Sequence, residues 1–92
     1  MNNLLVFTLA QIITFCIFLI IYFILMIYYP KCWKGLPETD IYIFFDAFYF
    51  TTSTHTSIGY GDITPKTRQL RLVTSIHMII VFSLIIISID YN

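Results

Sequence analysis

The chain reads as an all-α membrane protein in which two long apolar helices flank a short half-helix and a glycine loop. Three observations predict this. The 92 residues are 59% hydrophobic and 18% aromatic, too greasy for an ordinary soluble domain. Two uncharged or nearly uncharged runs, 4–29 and 72–89, are long enough to cross a hydrocarbon core of about 30 Å. Between them stands THTSIGYGDITP, residues 54–65, where hydroxyls precede a glycine–tyrosine–glycine segment and an aspartate follows it.

The first run holds only Thr8, Gln11 and Thr14 as clearly polar groups. As a helix it would extend roughly 39 Å, so it spans with some tilt. Only Met1, Asn2 and Asn3 precede it, without a basic residue, and it exceeds the 7–15 apolar residues typical of a signal peptide. It is expected to be retained. Residues 30–40 form a loop, because Pro30, Gly35 and Pro37 break regular structure. Tyr28, Tyr29 and Trp33 suit an interfacial aromatic belt. Residues 41–56, IYIFFDAFYFTTSTHT, are apolar but too short to span, which predicts a re-entrant or buried half-helix. Thr39 or Asp40 is placed to cap its start, and Asp46 falls near its first turn, where the helix dipole favours a carboxylate. The glycine loop occupies 57–62, a second loop 63–71 contains Pro65 and Arg71, and the second apolar run follows. The whole chain, 1–92, forms one domain.

Charge and side-chain chemistry exclude several functions. Five basic and five acidic residues give no net charge, which argues against nucleic acid as a partner. No paired acid and base or activated nucleophile is present, so the chain is not expected to be an enzyme. No cofactor is expected either. Cys16 suits a small buried apolar role within the first run, and Cys32 has no second cysteine in its loop. His55 lacks ligands at metal-binding spacing, so a packed, hydrogen-bonding histidine is expected. His77 shares a helical face with Thr74 and Ser88, roughly 100° from the face of Ser75, Phe82 and Ile89. It is expected to pack or to hydrogen-bond across subunits, with a pH-sensitive gating role as the alternative. No carboxylate lies in the middle of a span, which excludes a proton-carrying rotor hairpin. No arginine-rich span exists to sense voltage. One pattern pulls the other way. Lys31, Lys34, Lys66, Arg68 and Arg71 all lie between the spans, and the positive-inside rule alone would place that segment in the cytoplasm.

Irregular backbone at membrane depth is tolerated where it is buried in protein or lines a watery cavity. Gly59 and Gly61 can adopt φ > 0 without steric cost, so alternating backbone handedness can turn successive carbonyls to one side. Such carbonyls form a dehydrated cation site able to favour K⁺ over Na⁺. One chain supplies one strip, so a closed ring requires a cyclic homo-oligomer.

The segment SIGYGD at 57–62, together with the half-helix and both spans, resembles the tetrameric potassium channels. The short length and the residues Asp46, His55 and His77 are most similar to the miniature channels encoded by large viruses of algae. The resemblance implies a homotetramer with cytoplasmic termini, in a host-cell or virion membrane, with lipid around it and no obligatory auxiliary subunit. It implies that Ser57, Ile58, Gly59 and Tyr60 offer carbonyls to K⁺, and that the Ser57 hydroxyl completes the innermost site. Thr56, His55 and Gly61 would support that filter. Tyr60 would point into an aromatic collar including Tyr49 and Phe50, and Asp62 would sit at the outer mouth. That family usually carries tryptophans in the collar and both positions differ here, so the donor to the aspartate is either Tyr49 or absent. Phe82 would face the cavity, with Ser83 beside it bonding back to the Ile79 carbonyl and bending the helix; these two form the candidate gate. The alternative function is a non-selective viroporin or structural hairpin, which would not require the glycines.

Overall fold

The computed structural model describes residues 3–36 and 42–91. In chain order it contains α1 (Asn3–Tyr28), a 3₁₀ turn (Pro30–Cys32), β1 (Trp33–Lys34), α2 (Ile43–His55), β2 (Thr64–Pro65) and α3 (Arg68–Tyr91). Both long helices are long and apolar enough to cross a membrane. With no glycine or proline before Pro30, nothing interrupts α1 until the proline ring removes a donor and fixes φ.

Each helix turns one stripe inward. On α1 the buried residues are Phe18, Tyr22 and Met26, spaced by four so that they stack on one face. On α2 they are Ala47, Phe50, Thr51, Ser53 and Thr54. Leu70, His77 and Val81 are buried on α3. The other faces leave Ile13, Ile20, Ile79 and Ile86 exposed, as helices surrounded by lipid do. Threonines within the helices satisfy their hydroxyls locally: Thr14 donates to the Ala10 carbonyl at 2.8 Å and Thr51 to the Ala47 carbonyl at 2.7 Å. In an apolar medium that removes an otherwise unpaired polar group.

Asp46 lies in the first turn of α2, while the caps expected at Thr39 and Asp40 fall outside the described residues. The third helix starts at Arg68, four residues before its apolar run. Thr67 caps it, its Oγ1 accepting the Leu70 N–H at 3.2 Å. Arg68 and Arg71, expected in a loop, therefore stand on the first turn of α3.

Two strands of two residues each were not foreseen. The pair β1 and β2 is antiparallel, with Trp33 opposite Pro65 and Lys34 opposite Thr64, and the Lys66 N–H extends it to the Cys32 carbonyl at 2.8 Å. This strap joins the end of α1 to the start of α3, directly after the glycine loop.

Candidate functional site

The glycine loop grows out of a specific helix ending. The Ser57 N–H donates to the Thr54 carbonyl at 3.0 Å and the Ile58 N–H to the Ser53 carbonyl at 3.0 Å. Ser57 itself is left-handed, with φ +63°. Those two bonds around a left-handed residue constitute a Schellman motif, a position that glycine usually fills. Gly59 adds a second bond to Ser53, at 3.1 Å. Gly59 and Gly61 are left-handed too, with φ +61° and +84°. Every second residue from 57 to 61 thus has positive φ. The carbonyls of residues 55–61 accept no backbone hydrogen bond from the described residues. They are free to accept something else.

Beyond the loop, the Tyr49 hydroxyl donates to Asp62 Oδ2 at 2.9 Å, and Asp62 Oδ1 accepts the Ile63 N–H at 3.1 Å. The Tyr49 ring stacks on Tyr60, with centroids 5.6 Å apart and planes at 13°. Phe50 turns the other way: its ring meets Tyr22 and Trp33 edge to face at 5.0 Å. It also lines the cavity behind Gly59 and Gly61. Gly35, with φ +93°, lies so close to the loop's exit that a Cβ there would land on the Asp62 carbonyl oxygen. Sequence reasoning treated Gly35 only as a turn residue.

His55 sits at the last position of α2, its Nε2 2.9 Å from Gln11 Oε1 and its Nδ1 3.0 Å from His77 Nε2. His77 is fully buried, stacked on Phe18 with centroids 4.1 Å apart. Its Nδ1 lies 2.9 Å from the Tyr22 hydroxyl. The structure thus unites His55 and His77, which are 22 residues apart. Gln11 and Tyr22 were missed as site residues. The available signal was that Gln11 is the lone amide in a charge-free span, where a polar group needs a partner.

Thr56 bonds back to the Thr52 carbonyl at 2.7 Å. On α3, Phe82 is 53% exposed on the face opposite His77. Ser83 is exposed as well, and the bond expected from it to the Ile79 carbonyl is not formed. Ser75 and Ser88, by contrast, do bond back to their helix, at 2.8 Å each.

Comparison with known proteins places this arrangement. A family model described as "Ion channel" matches residues 4–92. The chain is 67% identical over 30 residues to a hyperpolarization-activated voltage-gated potassium channel of Methanocaldococcus jannaschii, covering 33% of this chain and 14% of that protein. It is 42% identical over 41 residues to the potassium channel protein kcv of Paramecium bursaria Chlorella virus 1, covering 45% and 44% respectively. With two-pore potassium channel 4 of Arabidopsis thaliana it shares 38% identity over 53 residues, 58% of this chain and 17% of that one. These matches span less than half the length of each relative. No solved structure matches. The family match runs through both long helices, α2 and the glycine loop between them, and on that ground the chain belongs to the ion-channel family.

Proposed function

We propose that this chain is the subunit of a homotetrameric, potassium-selective channel that conducts K⁺ passively through a ring of backbone carbonyls. The observation that carries this is the run of left-handed residues at Ser57, Gly59 and Gly61. Alternation at every second residue can aim successive carbonyls of one strip at a common axis, and the carbonyls from 55 to 61 are not engaged by described backbone donors. Four strips around an axis replace the hydration shell of K⁺. The names of the three relatives agree in being potassium channels.

In this reading Ser57, Ile58, Gly59 and Tyr60 hold the permeant ion, with the Ser57 hydroxyl at the innermost position. Gly61 and Asp62 form the outer mouth, and α2 is a re-entrant helix whose negative dipole end faces the ion below the filter. A single chain leaves the loop uncovered, with Ile58 59% and Tyr60 62% exposed. A cavity of about 190 Å³ behind it is lined by Ser53, Thr54, Gly59, Gly61 and Thr74. Neighbouring copies cover such a surface. On the resemblance to the tetrameric channels, and against the charge rule, which is weak for so few charges, the termini face the cytoplasm and the basic strap, on the side of the filter's outer mouth, faces outward. The partners are three identical subunits and lipid of a host-cell or virion membrane. No cofactor, auxiliary subunit or nucleic acid enters the proposal.

A flux assay tests it. Purified protein in K⁺-loaded vesicles diluted into Na⁺ buffer with a protonophore is expected to let K⁺ out and drive protons in. In the reversed gradient, Na⁺ inside and K⁺ outside, K⁺ entry is expected to drive protons out instead. Little or no net proton movement in either gradient would contradict the selective reading and favour the non-selective hairpin instead.

A further inference from the structure

The filter hangs from Ser53 and Thr54, whose carbonyls take the N–H groups of Ser57, Ile58 and Gly59. The next residue, His55, is gripped by side chains of the two long helices. Gln11 on α1 lies 2.9 Å from His55 Nε2, and His77 on α3 lies 3.0 Å from His55 Nδ1. Tyr22 of α1 closes the far end, 2.9 Å from His77 Nδ1. Phe15 meets His55 edge to face at 5.5 Å and Phe18 stacks on His77, so an aromatic ring flanks each imidazole.

The direction of every bond follows from one amide. Gln11 Nε2, which can only donate, faces the Val81 carbonyl at 3.4 Å. Gln11 Oε1 can only accept, so the His55 proton resides on Nε2. A neutral His55 then has a bare Nδ1, which accepts from His77 Nε2–H. His77 Nδ1 is bare in turn and accepts from the Tyr22 hydroxyl. The opposite polarity would set Gln11 Oε1 against the Val81 carbonyl, acceptor against acceptor.

We propose that Gln11, His77 and Tyr22 are positioning residues of the filter. They form a hydrogen-bond relay of fixed direction, Tyr22 to His77 to His55 to Gln11 to Val81, that clamps the last turn of α2 between α1 and α3. The relay keeps Ser53 and Thr54 where the filter backbone needs them, and this role rests on the channel reading above. The groups facing the two imidazoles in this relay are Gln11 and Tyr22 from α1 and each imidazole from its own helix; among the described residues no carboxylate takes part.

Two measurements on the full chain test it. ¹⁵N NMR of histidine-labelled protein in bilayers at neutral pH is expected to show both rings neutral, with the proton on Nε2. In Gln11→Met, a change that keeps the shape but removes the amide, His55 is expected to lose that bias. Single-channel open probability is expected to fall about tenfold while the K⁺ over Na⁺ reversal potential holds. Either histidine carrying its proton on Nδ1 in the wild type, or wild-type open probability in Gln11→Met, overturns the relay. Wild-type protein with the expected NMR signals but no K⁺ current supports the relay and counts instead against the channel reading.

Discussion

At Ser57 a residue with a side chain occupies a left-handed position that closes α2 and opens the glycine loop. The glycines at 59 and 61 could be recognised from their spacing as backbone hinges. The handedness of Ser57 could not, since it arises from the Schellman bonds to Ser53 and Thr54 rather than from residue type. At Gly59 and Gly61 an added Cβ meets no neighbour within one chain, so substitution acts through φ itself. The left-handed region costs an L-residue about 1–2 kcal/mol, a cost that the proposed tetramer would repeat in every subunit. Gly59→Ala or Gly61→Ala is expected to abolish selective K⁺ current while assembly persists, checked by bilayer recording alongside gel analysis. Tyr49→Phe removes the donor to Asp62 without disturbing the stack on Tyr60. The pair is exposed, so the loss in stability is small. The expected effect is local, a shorter mean open time with unchanged selectivity in single-channel records.

The three helices were visible in the sequence because hydrophobic runs and breakers mark them over many residues. The strap of β1 and β2 was not, because two-residue strands carry no periodicity and exist only through each other. Just after β1, Gly35 lies against the exit of the glycine loop, where a Cβ would strike the Asp62 carbonyl. Gly35→Ala is therefore expected to displace the filter's exit and cut K⁺ current strongly, whereas Lys34→Ala, an exposed neighbour on the strap, is expected to leave it near wild type. Equal currents in Gly35→Ala and wild type would show that this contact does not hold the filter. On α3 the helical wheel separated Phe82 from His77, and the structure places them on outer and inner faces. The expected bend at Ser83 has no hydrogen bond behind it. Phe82→Ala is accordingly expected to remove or lengthen a class of closures, and Ser83→Ala to leave closed-time distributions unchanged.

Taken as one molecule, the chain is long and thin, 46 × 24 × 19 Å, with a narrow buried stripe and broad exposed apolar faces. That shape fits the proposed assembly, in which lipid would cover one side and identical copies the other. The sequence disclosed the layout because a membrane imposes strict rules on length and backbone satisfaction. It concealed the contacts between Gln11, His55 and His77, which lie 44 and 22 residues apart and meet only when α2 settles between the long helices. The central claim is that the loop at 57–62 chooses K⁺. Its most direct test is the reversal potential of the purified chain in a planar bilayer, with K⁺ on one side and equal Na⁺ on the other. The expected displacement toward the K⁺ equilibrium potential exceeds about 59 mV, which corresponds to a tenfold preference for one monovalent ion. A reversal potential near zero, with currents of similar size carried by both ions, would contradict it.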